Sequence, residues 1–237
     1  MLKELRIALR SLATETRAEN SARYFKTGNG EYGEGDLFLG VTVPDTRTVA
    51  KKYKDLGQEE LAILANSKFH EERLTALLIL NQKYSNAKDN SERKEIFDYW
   101  LELVRTNKVN NWDLIDTSAP VLGEILSRHI GYGAPFMHGL AASNNLWERR
   151  AAIILTFPLI RMNKFGPTLA IARDLLNDEH DLIHKAVGWM LREVGNRNEE
   201  TLTEFLLKHK DQMPRTMLRY AIEKYPDKQR KVFLAKG

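Results

Sequence analysis

The chain has 237 residues, 43% of them hydrophobic and 29% charged, which is enough to bury a sizeable core and ordinary for a soluble globular protein. No apolar run approaches the roughly 18 residues a membrane span requires, and the absence of cysteine excludes disulfides, thiolate catalysis and thiolate metal sites. A net charge of +4 permits a nucleic-acid partner without demanding one.

The start, Met1-Leu2-Lys3-Glu4-Leu5-Arg6, is charged and amphipathic and lacks a signal-peptide core, so a cytoplasmic location is expected. Leu2–Leu12 and Thr14–Lys26 carry helical spacing, the second ending in Arg23-Tyr24-Phe25-Lys26. The Gly-rich stretch Thr27–Asp36 contains a G-x-G-x-x-G pattern, Gly28–Gly33. It follows a helix instead of a strand, so it reads as a loop and not as a dinucleotide site. After the short apolar run Leu37–Val41, Val43-Pro44-Asp45 opens a helix over Thr46–Leu56, with proline where a missing N–H costs nothing.

Further helices are predicted over Gln58–Ala65, Glu71–Tyr84, Ser91–Arg105, Trp112–His129, Pro135–Ala142, Trp147–Met162, Thr168–Leu176, His180–Val194, Glu200–Lys210, Arg215–Tyr225 and Lys228–Leu234. No alternating strand run interrupts them, and the expected class is all-α. Three joints look alike: Asn66-Ser67 before Arg73, Ser143-Asn144 before Arg150, and Asn177-Asp178 before Lys185, with a weaker copy at Arg219. About 35 residues separate Arg150 from Lys185 and Lys185 from Arg219, and roughly twice that separates Arg73 from Arg150. The expected architecture is therefore a curved solenoid of HEAT/armadillo-like antiparallel helical pairs. It forms one domain over residues 1–237, with helices in 1–56 as a cap and repeats in 57–237. The recurring cations would either line a concave basic face or solvate an outer surface.

The most informative stretch is Asn110-Asn111-Trp112-Asp113-Leu114-Ile115-Asp116. Either asparagine can cap a helix beginning at Trp112. Trp112 and Asp116 then share a face, as do Asp113 and Asp116. Asp113 fits as an acid complementing the helix dipole. Asp116 lies one turn in among apolar residues, where a carboxylate needs a partner or a function. Trp147 and Trp189 sit beside other joints, while Trp100 reads as core. Trp147 is followed by the charge run Glu148-Arg149-Arg150, which puts Arg150 at the edge of an apolar stretch, and Gly188 beside Trp189 lets something approach the backbone. Core packing explains each tryptophan singly. As a set with arginines they also suit stacking and phosphate contacts.

In order along the chain, Ala22-Arg23-Tyr24, Leu37-Phe38-Leu39-Gly40-Val41, Trp112-Asp113-Leu114-Ile115-Asp116, Trp147-Glu148-Arg149-Arg150-Ala151-Ala152 and Lys185-Ala186-Val187-Gly188-Trp189-Met190-Leu191-Arg192-Glu193 resemble the motifs of the AlkD family of bacterial DNA alkylation-repair glycosylases. The Gly-rich loop is longer than that family's compact pattern. The resemblance implies HEAT-like repeats and a monofunctional glycosylase that removes cationic alkylated purines of the 3-methyladenine and 7-methylguanine type from double-stranded DNA. It implies Asp116 as catalytic carboxylate, Trp112 and Trp189 flanking the deoxyribose, Arg150 holding the backbone, and Tyr24 touching DNA. Arg149 and Lys185 join the expected DNA contacts. A cationic purine is already a good leaving group, so one ionised carboxylate can stabilise the oxocarbenium-like sugar without a general acid, metal or cofactor. Indole faces add cation–π stabilisation. A monomer is expected. The competing readings are a HEAT-like protein that binds damaged or branched DNA without cleaving it, and a protein-interaction scaffold.

Overall fold

The structure, a computed structural model, describes residues 1–235. Every extended regular element among them is helical, and the one β-type contact is an isolated parallel bridge between Leu37 and Phe69. No helix of the described residues is long and apolar enough to cross a membrane. The chain divides into two compact units, Met1–Ser118 and Ala119–Gly237.

The first unit contains α1 (Leu2–Ser11), α2 (Glu15–Tyr24), α3 (Val43–Lys52), α4 (Gln58–Ala65), α5 (His70–Asn86), α6 (Asn90–Arg105) and the start of α7 (Trp112–Leu122). The second contains the end of α7, then α8 (Ile125–Arg128), α9 (Ala134–Ala141), α10 (Leu146–Ile154), α11 (Phe157–Arg161), α12 (Gly166–Asp174), α13 (Asp181–Arg197), α14 (Glu199–His209), α15 (Arg215–Ala221) and α16 (Asp227–Leu234), with a 3-10 turn at Ile130–Tyr132. Short polar side chains start several of them. Thr42 Oγ1 accepts from Asp45 N at 3.3 Å, Asp89 from Glu92 N at 3.0 Å, and Asn198 from Thr201 N at 2.9 Å.

Two predicted helices are each broken in two. Pro158 lacks the N–H that would continue the ladder, so Trp147–Met162 becomes α10 and α11. Trp112–His129 is interrupted after Leu122, where Gly123 packs so closely that an added Cβ would stand 2.2 Å from the Leu155 carbonyl oxygen. The core of the first unit is built on Leu5, Leu9, Leu64, Leu77, Ile79 and Phe97 together with Trp100, the predicted core indole, whose Nε1 donates to Ser118 Oγ at 2.8 Å. In the second unit Ile153, Ile154, Ile183, Val187, Met190 and Leu206 are fully buried.

What approaches the backbone at Gly188 is helix α15. A Cβ there would meet Tyr220 Cβ at 2.5 Å and the Met217 carbonyl oxygen at 2.6 Å. Gly188→Ala gains about 1 kcal/mol in helix propensity, but the overpacking against backbone costs about 1–3 kcal/mol and a shift of α15. The expected result is a net loss of stability in a denaturant titration. A midpoint equal to wild type would contradict this packing.

The repeated joints have a common hydrogen-bonding device. Ser67 Oγ accepts from Phe69 N at 3.1 Å, Ser143 Oγ from Asn145 N at 3.0 Å, and Asp178 Oδ1 from His180 N at 2.8 Å. In each case a side chain one turn into the following helix reaches back to the joint's carbonyl: Arg73 to Ser67 O at 3.0 Å, Arg149 to Ser143 O at 3.0 Å, and His184 to Asp178 O. The sequence alignment of Arg73 with Arg150 and Lys185 is thus displaced by one position. The equivalent residues are Arg73, Arg149 and His184, selected by reach to a carbonyl, which a repeat of residue types does not encode.

Candidate active site

Helix α7 begins where the sequence places it. The Asn111 carbonyl accepts the first intrahelical bond from Ile115 N at 3.3 Å, and its side-chain oxygen accepts from Trp112 N at 2.8 Å. The Asn110 side chain serves a different partner, accepting from Arg73 Nη2 at 3.1 Å. One turn separates Trp112 from Asp116, and both are partly exposed. Trp112 stacks on Phe25 with centroids 5.3 Å apart and meets Tyr24 edge-on at 5.9 Å. Tyr24 itself is 65% exposed, on a helix that buries no residue. Asn81 Nδ2 donates to Thr117 O at 2.9 Å and Trp100 to Ser118, so α5 and α6 both hold α7 one turn beyond Asp113.

Asp113 does more than complement a helix dipole. Its Oδ2 lies 2.8 Å from His70 Nε2, and His70 Nδ1 lies 2.8 Å from Asp36 Oδ2. Arg73 Nη2 donates to the other Asp36 oxygen at 2.6 Å. Burial alone would push the imidazolium pKa down, but the charge and hydrogen bond of Asp113, with those of Asp36, outweigh it and raise His70 to about 9. Burial likewise pushes Asp36 up, yet the His70 hydrogen bond and the Arg73 charge hold it below the usual carboxylate range. At neutral pH two carboxylates therefore face two cations, which is the condition for keeping such charges buried. The imidazole also stacks on Phe38 at 4.7 Å, and Phe38 stacks on Phe25 at 5.1 Å. Trp112 is thus held through its neighbour Asp113 and through a column of rings.

The first turn of α5 organises this half of the site, and sequence reasoning missed most of it. His70, Glu71, Glu72 and Arg73 are all buried. Glu71 accepts the backbone N–H groups of Leu39 and Gly40 at 2.8 Å and of Val41 at 3.2 Å, clamping the segment that carries Phe38. Glu72 is bound by Arg6 at 2.9 Å and Arg10 at 3.1 Å. The available signal was four consecutive ionisable residues immediately before an apolar helix, a pattern too costly to bury without partners. Among the described residues no group of three or more His, Asp or Glu is arranged to hold a metal ion.

The remaining predicted residues belong to the second unit. Trp189 is half-buried on α13, lies 6.2 Å from the Phe157 ring, and donates from Nε1 to Glu193 at 3.1 Å. Lys185 pairs with Asp181 at 2.7 Å. Arg149 binds Asp178 at 2.6 Å in addition to its joint carbonyls. Arg150 is only 4% exposed, and its guanidinium donates to the Leu182 carbonyl in the first turn of α13. The structure therefore brings Tyr24 to Trp112 in one unit, and brings Arg150 to the start of the helix bearing Lys185 and Trp189 in the other.

An all-helical chain with an indole and a carboxylate one turn apart, held by a buried ion network, defines a class of helical-repeat protein with a partly exposed aromatic–acid site. The family model described as DNA alkylation repair enzyme matches residues 5–225, and the chain belongs to that family. No curated protein sequence matches. Among solved structures, a predicted DNA alkylation repair enzyme from Enterococcus faecalis superposes with a TM-score of 0.69 at 17% identity, covering 91% of this chain and 97% of that one. AlkD2 from Streptococcus mutans gives 0.55 at 18% identity over 90% and 99% of the two chains. The protein smu.31 from Streptococcus mutans UA159 gives 0.54 at 20% identity over 89% and 100%.

Proposed function

We propose that the protein is a monofunctional DNA glycosylase that hydrolyses the N-glycosidic bond of cationic alkylated purines in duplex DNA. The observation that carries the reading is the pairing of Trp112 and Asp116 on α7, both partly exposed, with Tyr24 exposed beside the indole. In this reading Asp116 stabilises positive charge as it moves from the purine to the sugar, and orients the attacking water. Trp112 offers its indole face to the same charge, and Trp189 in the second unit is the further indole that the family resemblance assigns to the reaction. Tyr24, Arg149, Arg150 and Lys185 contact the DNA, with Arg150 also steadying the first turn of α13 through Leu182 O. The leaving group brings its own charge, so the chemistry calls for no cofactor.

The test is base release from N-methylated duplex DNA, followed by chromatography of the free bases. Release of 3-methyladenine and 7-methylguanine is expected, with neutral lesions cleaved poorly because they need a general acid. Tight DNA binding without release would favour the non-catalytic damaged-DNA binder.

A further inference from the structure

Around the Arg73 guanidinium, three joints of the first unit line a polar cavity of about 240 Å³. The end of the Gly-rich loop supplies Asp36, the α4–α5 joint Ser67 and Lys68, α5 Arg73, and the α6–α7 joint Lys108 and Asn110. The corresponding joint in the second unit is neutralised differently. There Arg149, the equivalent of Arg73, is neutralised by Asp178 from the joint that follows, at 2.6 Å. In the first unit the joint that follows supplies no carboxylate to Arg73, only the amide of Asn110, and places Lys108 at the cavity instead. Arg73 takes its carboxylate from Asp36 in the loop, leaving its Nε buried without an acceptor.

The charge balance favours an anion. Asp36 and Asp113 are matched by the His70 imidazolium and Arg73, so the buried quartet is neutral. Lys68 and Lys108 make no ion pair among the described residues, and the Lys68 ammonium lies 5.3 Å from the centre of the Phe69 ring. Against them stands one exposed carboxylate, Glu34, whose Oε2 accepts from Gly30 N at 2.9 Å. Two long, adjustable ammonium groups and a row of amides around a concave polar site match the geometry and charge of a phosphate.

We propose that this cavity binds a phosphate group, and that its occupant in function is a phosphodiester of the DNA backbone. The site takes duplex DNA as ligand from the reading above, and the last residues of the Gly-rich loop build one of its walls. Lys68 and Lys108 provide the charge, and the Asp36–Arg73 pair fixes the floor.

The experiment measures duplex DNA affinity as a function of salt for the full-length wild type, Lys68→Ala, Lys108→Ala, the double variant, and Lys51→Ala/Lys52→Ala as a control on the last turn of α3. One phosphate contact contributes about 0.9 to the slope of log K against log salt, so the double variant is expected to lose a slope of about 1 and bind about tenfold more weakly near 0.1 M salt. The control keeps the wild-type slope. A parallel titration with inorganic phosphate, followed by phosphorus NMR, distinguishes the source. Phosphate binding lost in the double variant, with an unchanged DNA slope, would overturn the DNA-backbone occupant in favour of a free phosphate. No change in either titration would overturn the site. Because neither readout uses base release, a wild type that fails to excise bases would sink the glycosylase reading while leaving this result intact.

Discussion

Asp116→Asn is expected to lower the rate of 7-methylguanine release by about 10²–10³-fold while DNA affinity stays equal or rises. The substitution keeps the shape of the side chain and removes one negative charge. In the ground state that charge faces a polyanion and opposes binding. In the transition state it meets a sugar that has taken up the purine's positive charge, so its loss falls on catalysis and not on association. Single-turnover release from methylated duplex, with affinity from fluorescence anisotropy, separates the two. Release unchanged in Asp116→Asn would refute the assigned mechanism. Loss of affinity in step with loss of rate would make Asp116 a binding residue instead.

The second large effect concerns stability. His70 has a folded-state pKa of about 9, above the unfolded value near 6.5. Its contribution is therefore fully present below about pH 6.5 and is lost as pH rises through about 9. The wild type is expected to lose on the order of 3 kcal/mol of unfolding free energy across that window. His70→Gln should remove this alkaline fall. It should also be less stable at pH 7 by on the order of 3 kcal/mol, because Asp36 and Asp113 lose the cation between them. Urea titrations between pH 6 and pH 9.5 test both statements, and a wild type with flat stability across that range would contradict the buried imidazolium.

These two residues differ in how far the sequence exposed them. Asp116 stood out because a carboxylate inside a helical apolar run, four residues after a tryptophan, is an anomaly visible in a single stretch. Asp113 looked like its equal or lesser neighbour, a first-turn acid suited to a helix dipole. Its partner His70 lies 43 residues away and its partner's partner Asp36 a further 34, so nothing local announced the chain of bonds. Arg150 illustrates the opposite case. Its place after Trp147 was plain, but the sequence could not say that its guanidinium turns to Leu182 O inside the second unit. Nor could it say that Arg149 is the residue equivalent to Arg73.

By itself the sequence determined the helical class, the approximate limits of most helices, the capped start of α7 and the membership signalled by its ordered motifs. Helical periodicity, caps and prolines act over one or two turns, so they can be read without knowing what lies opposite. The tertiary structure alone decided which cation closes each joint, why Gly188 must lack a side chain, and how Asp36, His70, Arg73 and Asp113 neutralise one another. Those outcomes depend on burial, where an unpaired charge is too costly to keep, and on partners that only the folded chain brings within hydrogen-bonding distance.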